Sequence, residues 1–435
     1  MRRLAAVVAC GLAATVAVGL ASFGRAAPAG PTYFQDVKPI LDSRCTGCHV
    51  QGGIAPFRLT GYLDAYRSRD AIAAAVRSRA MPPWHADSRV RRYLYDPSLT
   101  NRQIDTIVRW AARRAPRGDA SRPGGALPSV APRLSRVDVR TPMPAAYRPQ
   151  RRPGGDDYRC FVLPWTPDRE TFVTGFNLRP GRPAQVHHII VYLAAPGSSG
   201  TLAGWEAEDA RPGYGCYGGP SATGRQGGLR FQFLAGWVPG SFGTDFARGT
   251  GIRVAAGSRL VLQVHYNLQS VDRARPDRST VELKLDPSVE RRAVYAPFVD
   301  VGWLLAPRSF AIPAGRKRVT HTVLGEPREL IRILAGMDFP NGFTIHSVLP
   351  HMHRLGRETR VTVQRASGER EVLVSIPRWQ FHWQREYHLA DPVRFNAGDK
   401  LLLRCDHQNR TKLARTWGED SSDEMCIAFL YLAEP

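Results

Sequence analysis

Lysine is nearly missing from this chain of 435 residues: five lysines stand within a combined 60 lysines and arginines. The arginines are scattered and form no block. The formal net charge of +22 therefore reads as a basic surface that attracts acidic redox partners or anionic lipid, and nucleic acid is not expected as a partner. Only one stretch, Leu4–Phe23, is long, apolar and free of charge, and no other is long and apolar enough to span a bilayer as a helix. No repeat of fixed short period is visible, which argues against a solenoid. Whole-chain disorder is excluded by a composition of 43% hydrophobic and 23% charged residues. The length exceeds what one compact core holds, so two or three domains are expected.

The apolar run follows Met1-Arg2-Arg3 and closes in the small residues of Gly24–Ala29. This pattern predicts a signal peptide over residues 1–27 and a secreted, periplasmic or extracytoplasmic protein, with an uncleaved anchor as the alternative. Of the seven cysteines, Cys10 lies in that run and Cys45 and Cys48 share a motif. Cys160, Cys216, Cys405 and Cys426 remain, enough for two disulfides in an oxidising compartment, with three pairings open.

Residues 45–49 read Cys-Thr-Gly-Cys-His. C-x-x-C-H is the attachment motif of c-type haem: Cys45 and Cys48 form thioether links and His49 becomes an axial ligand. A zinc site is disfavoured because no second ligand pair lies nearby. Helical signals surround the motif. Thr32 and Gln35 read as a capping box ahead of Val37, Ile40 and Leu41. Asp70–Ala80 reads as a helix. Thr100 and Gln103 open another, with Ile104, Ile107, Val108 and Ala111 on one face, ending before Pro116. Such a module over residues 31–116 resembles a class I cytochrome c. The resemblance implies a second axial ligand, for which Met81 in the Met-Pro loop is the candidate and His85 its competitor. A haem with two protein ligands moves electrons and has no open position for oxygen.

Residues 117–150, rich in Pro, Gly and Ser, read as a linker. Beyond them, short alternating segments such as Val186–Ala194, Arg259–Asn267 and Ile427–Ala433 recur between Gly, Pro and Asp. The expected fold is a small all-α domain followed by two all-β antiparallel, jelly-roll-like sandwiches at 151–290 and 291–435.

Several histidines fall in the β segments. His351 and His353 share one face of a strand and can reach one ion. His187 and His188 are adjacent, so they converge only if the strand is bulged or ends there, or if the rings use different nitrogens. His265, alone in an apolar strand, reads more readily as a core residue. Met425 would be core in isolation, while a thioether ligand suits Cu(I). His85, His321, His346, His382, His388 and His407 read as structural or surface residues.

An adjacent His pair, a His-Tyr in a strand, H-x-H and then Asp-Glu-Met-Cys, in that order, resemble the copper type II, ascorbate-dependent monooxygenases over roughly residues 155–435. The resemblance implies two mononuclear copper sites. His187, His188 and His265 would hold the first, which passes electrons. His351, His353 and Met425 would hold the second, which binds dioxygen and hydroxylates a C–H bond. It also implies the pairings Cys160–Cys216 and Cys405–Cys426. The domain order suggests that one covalent haem c feeds the first copper, supplied by a cytochrome, a quinol-linked carrier or an ascorbate-like reductant. Where peptide-amidating relatives hold a substrate carboxylate, this chain has Leu349 and Phe429, so a small, apolar substrate is expected. The alternative is a non-catalytic electron-transfer or copper-binding protein. A multicopper oxidase or nitrite reductase would need a His₂Cys blue-copper centre, and the late cysteines are better explained as a disulfide.

Overall fold

A computed structural model describes residues 30–51, 53, 55–151, 155–224, 229–269 and 271–435. The expected signal peptide, with Cys10, lies outside the described residues. Among those described, no helix is long and apolar enough to cross a membrane.

The N-terminal part is helical. A π-turn at Tyr33–Val37 runs into the helix Lys38–Arg44, followed by the helices Tyr62–Arg67, Arg69–Arg77 and Asn101–Ala112. The Thr100 capping box forms as expected, with Gln103 closing it from the other side. The box at Thr32 does not: its backbone N–H bonds Asp36 at 2.7 Å, four residues on, and the first turn opens into the π form. The helix expected over Asp70–Ala80 starts one residue earlier and stops at Arg77, three residues short. Tyr33, Val37, Leu41, Ile107 and Trp110 bury together as the core of this unit.

The stretch 117–150 is only in part a linker. Its start folds back, with Gly124 N–H on the Phe34 carbonyl at 2.9 Å and Gln35 Nε2 on the Asp119 and Arg122 carbonyls at 2.6 Å each. Its end is sheet: Val139–Pro142 pairs with Thr280–Asp286, and Tyr147 bridges to Asp277.

The rest is mainly β-structure, in three sheets among the described residues, with the short helices Ser199–Ala207, Val301–Leu305 and Arg328–Ala335 in its connections. The largest, nine-stranded, continues from one half of the region into the other, so the boundary expected at 290 falls inside a sheet. Arg291–Phe298 joins the halves, pairing with Ile427–Ala433 on one side and Thr250–Val254 on the other. That last pairing is parallel, a departure from the all-antiparallel expectation. A five-stranded sheet containing Val186–Ala194 and Arg259–Asn267 contributes to the first core, and a four-stranded sheet containing Gly356–Gln364 contributes to the second. The joining strands serve both cores because side chains alternate along a strand. Ala293, Tyr295, Tyr431 and Ala433 enter the first core, whereas Val294, Ala296, Leu430 and Leu432 enter the second.

The helical unit is docked on this region. Asp87–Tyr95 runs beside the strand Tyr387–Phe395, which ends the large sheet: Leu94 N–H bonds the His388 carbonyl at 2.9 Å and Ala390 N–H the Arg92 carbonyl at 3.2 Å. Tyr93 is buried in the second core, and Arg91 forms an ion pair with Glu371. The segment covers an otherwise open sheet edge.

Leu432→Ala should cost about 2–5 kcal/mol, the usual loss for emptying a fully buried leucine site. Because the joining strands belong to both cores, we expect one unfolding transition of the metal-free β-region. Urea unfolding followed by tryptophan fluorescence and by far-UV circular dichroism should give coincident curves that shift together in the variant.

Candidate metal centres

The strand Val186–Ala194 carries a bulge between Val186 and His188 where it pairs with Arg259–Asn267. The bulge resolves the problem posed by adjacent histidines: His187 is the extra residue, and both rings turn to one side. His188 lies directly across from His265. The Nδ1 atoms of His187 and His188 are 3.4 Å apart, as are those of His188 and His265. Nitrogens about 2 Å from a shared ion at tetrahedral angles sit roughly 3.3 Å apart, so this spacing suits one cation. Burial, followed by the charges of neighbouring histidines, holds His187 and His188 well below the ordinary imidazole range. Their rings are neutral and their lone pairs converge.

The partners of His265 orient the set. Its Nε2 donates to Asp156 Oδ1 at 2.9 Å, which leaves Nδ1 for the ion, and Tyr158 stacks on its face at 4.0 Å. Asp156 also accepts from Asn267 Nδ2 at 2.7 Å and from the Ser421 backbone at 3.2 Å. Burial pushes this carboxyl up. The His265 hydrogen bond and charge, with Asn267 and Ser421, outweigh burial and bring it down to about 2.

His351 and His353 present a second set, their rings 5.1 Å apart and nearly perpendicular. Each ring uses Nδ1 for orientation and keeps Nε2 free. His353 Nδ1 donates to the Asp423 carbonyl at 3.2 Å, and His351 Nδ1 donates to Gln384 Oε1 at 2.5 Å. The Gln384 amide is fixed in turn by its Nε2, which donates to the Phe381 carbonyl at 3.1 Å. Burial lowers His351 to about 4 and His353 well below its ordinary range. Met425 is buried close by. One oxygen of Glu424, a fully buried residue, accepts the backbone N–H of both His353 and Met425, and the other takes that of Leu355 at 2.7 Å. Burial raises this carboxyl to about 8 against the pull of those N–H groups. The Cys405–Cys426 disulfide staples the chain next to Met425, and Cys160 joins Cys216, so both pairings implied by the resemblance form. Two imidazole nitrogens and a thioether make a donor set suited to Cu(I).

The loop between the strands Arg370–Ile376 and Tyr387–Phe395 touches both sets. Trp379 Nε1 donates to the His353 carbonyl at 3.1 Å. Phe381 stacks on His187 at 4.7 Å and stands edge-on to His353 at 6.1 Å, so a single phenyl ring lies between the two groups of histidines.

The C-x-x-C-H motif follows the helix Lys38–Arg44. Cys45 and Cys48 are half-buried and free of a disulfide. His49 Nδ1 donates to the Phe57 carbonyl at 3.0 Å, leaving Nε2 for a metal, the arrangement expected of an axial ligand. Met81 is half-buried beyond the helix Arg69–Arg77 and is not among the side chains of the helical core, so its thioether is not needed for packing. Cys45, Cys48 and His49 keep the free thiols and the free ring nitrogen that covalent haem attachment needs. His85 sits beside Arg378 and Arg385, where burial and then those charges lower its pKa.

Residues 300–435 match the family described as copper type II ascorbate-dependent monooxygenase, C-terminal domain. The chain is also similar to DBH-like monooxygenase protein 1 of Gallus gallus, 26% identical over 201 residues, 45% of this chain and 32% of that protein. It is 23% identical over 266 residues to DBH-like monooxygenase protein 1 of Homo sapiens, 58% of this chain and 40% of that one. Dopamine beta-hydroxylase of Equus caballus is 26% identical over 211 residues, 46% of this chain and 32% of the relative. The aligned part is thus well under half the length of each of these relatives.

Reading the sequence missed Asp156, Tyr158, Phe381 and Gln384, and gave Glu424 no role although it stands in the Asp-Glu-Met-Cys motif. None lies in a metal-ligand spacing. Asp156 and Tyr158 meet His265 only through the register of Asp156–Val162 with Arg259–Asn267.

Asp156→Asn should weaken ion binding at the first set about 10–100-fold, the usual loss when the carboxylate behind a ligating histidine is removed, measurable by calorimetric copper titration. The metal-free fold should also lose stability as pH falls from about 6.5 towards 4. His346, His351 and His407, each lowered by burial first to about 4, stay neutral when folded and take up protons on unfolding. Glu419 and Glu424, raised by burial to about 7 and 8, act in the opposite sense, and the lowered imidazoles, His187, His188 and His353 among them, outnumber them. Urea midpoints across this range would check the slope.

Proposed function

We propose that the chain is a copper-dependent monooxygenase that carries its own haem c module. The observation that carries this reading is the convergence of His187, His188 and His265 through Nδ1 atoms 3.4 Å apart along the set, with His353 and Met425 tied to one oxygen of Glu424 in the second set. In this reading His187, His188 and His265 hold the electron-passing copper, and His351, His353 and Met425 hold the copper of the oxygen reaction. Bound there, copper supplies the reduction of dioxygen and the insertion of one oxygen atom into a C–H bond, the second atom leaving as water with two electrons and two protons.

The chain's own residues set the conditions. Gln384 and the Asp423 carbonyl fix the tautomers of His351 and His353, and Asp156 fixes that of His265. Glu424 holds the Met425 backbone against the H-x-H turn. Leu349 and Phe429 are cross-strand partners two residues from His351 and Ile427, and Phe233 stacks on Phe429 at 5.1 Å. In this reading the two apolar side chains stand where relatives that bind a carboxylate carry polar groups, which supports an aliphatic or aromatic substrate and not a peptide C-terminus.

Cys45, Cys48, His49 and Met81 hold the haem, which receives electrons from an extracytoplasmic cytochrome, a quinol-linked carrier or an ascorbate-like reductant. Fusing that carrier to the copper region supports electron supply within one chain. The signal-like N-terminus supports a periplasmic location.

The purified full-length protein, reconstituted with copper, should contain two coppers per covalent haem, and the double variant His353→Ala/Met425→Ala should retain one. Oxygen uptake by the two-copper form should then match hydroxylated product in a screen of apolar compounds. Full copper content with no oxygen uptake from reduced protein would leave an electron-transfer protein instead.

A further inference from the structure

The short helix Val301–Leu305 turns apolar side chains outward. Leu305 is 81% exposed, Val301 and Leu304 are exposed as well, and of the large side chains only Trp303 turns inward, onto Phe310 at 4.9 Å. Residues 306–318 follow, and the segment 409–415 lies against them. Ile312 and Arg415 exchange backbone hydrogen bonds at 2.8 and 3.0 Å, and Gly315 N–H donates to the Thr411 carbonyl at 3.2 Å. The buried Asn409 ties the two segments: its Nδ2 donates to the Ile312 carbonyl at 3.0 Å and to the Leu413 carbonyl at 2.8 Å. Leu413, 62% exposed, projects from this second segment. The two segments thus form one surface, backed by the buried rings of Trp303, Phe310 and Trp417.

The charge of this surface has one sign. Residues 301–318 and 408–418 contain no aspartate and no glutamate. Arg308, Arg316, Lys317, Arg410 and Lys412 are exposed and make no ion pair among the described residues, whereas Arg318 is held by Asp406. Two of the five lysines of the chain stand here.

We propose that this surface seats the protein on an anionic phospholipid bilayer. Leu304, Leu305 and Leu413 enter the boundary between headgroups and acyl chains, and the unpaired cations meet the lipid phosphates. Apolar burial and attraction to anionic lipid add in such an arrangement. Two observations choose this occupant. Leucines that project singly from a five-residue helix and a loop enter a fluid phase without a matching pocket, whereas a folded partner must supply a pocket for each. A second copy of the same face would set unpaired cations against unpaired cations with no carboxylate between them. The surface is also continuous with the chain that holds Met425. The segment 408–418 leads on from His407, whose Nε2 donates to the Met425 carbonyl at 3.4 Å, and Gly418 N–H donates to the Glu424 carbonyl at 3.3 Å. On the monooxygenase reading, the seat brings the second donor set to the phase in which apolar compounds concentrate. Binding to the bilayer does not itself rest on that reading.

The test mixes the full chain with vesicles of phosphatidylcholine alone, or of phosphatidylcholine and phosphatidylglycerol in equal parts, and sediments them. The protein should bind the anionic vesicles and not the zwitterionic ones, and the binding should fall as salt rises. Lys317→Gln/Lys412→Gln should weaken it about 30-fold, the loss expected for two basic residues at an anionic surface. Leu305→Ser/Leu413→Ser leaves the charge unchanged and should weaken it about tenfold or more through lost apolar burial. All four side chains are exposed, so the urea midpoints of both variants should match the wild type. No binding to either vesicle, no preference for phosphatidylglycerol, or equal binding by wild type and both variants overturns the proposal. A loss in the lysine variant without a loss in the leucine variant marks a surface for an acidic protein and overturns it too. So does light scattering that shows a dimer which Leu305→Ser/Leu413→Ser dissociates, since the face then joins two copies of the chain.

Discussion

Alternation of side chains along Arg291–Phe298 and Ile427–Ala433 is the constraint on which the rest depends. Each strand must be apolar on both faces because each face closes a different core. The strand Ile427–Ala433 begins at the disulfide next to Met425 and runs beside Phe343–His351, so the same strand that joins the cores also brings the Met425 backbone to the H-x-H turn, where Glu424 ties the two together. Displacing it would disturb both hydrophobic interiors and the second donor set together.

The donor sets follow from a second constraint. An imidazole in a dry site stays neutral, and each remaining N–H needs a partner. The first set meets this with an anion, Asp156, behind His265. The second uses neutral acceptors, Gln384 and the Asp423 carbonyl. The first set is therefore backed by negative charge and the second is not, apart from Glu424, whose carboxyl burial favours in its neutral form. On the proposed reading, this difference would suit a first site that tolerates the higher copper charge and a second that favours Cu(I).

Much of this was legible in the sequence where the signal is local. The Thr100 capping box and the many short strands depend on neighbours within a few residues, and the structure keeps them; the His-x-His pair reads as one face of a strand, but the strand ends at His351 and His353 lies in the turn beyond it. The His187–His188 pair was legible only as a condition, that the strand be bulged, and the register supplies the bulge. What escaped depends on distant pairing. The composition of Arg291–Phe298 does not reveal that one sheet runs on through the expected boundary at 290, with this strand between Thr250–Val254 and Ile427–Ala433. The apparent linker hid Val139–Pro142, whose Pro and Arg suit an edge position. Asp156, Gln384 and Glu424 are single polar residues whose meaning appears only when folding seats them behind a histidine or a turn.

The strip Asp87–Tyr95 has a consequence for how the two parts of the molecule came to share a chain. By lying along Tyr387–Phe395 it turns the helical unit into the cover of a sheet edge, and Tyr93 into a plug of the second core. The β-region is therefore no detachable cassette. Cut free at residue 117, it would offer bare backbone and a hole in its interior to any passing strand, and self-association would compete with folding.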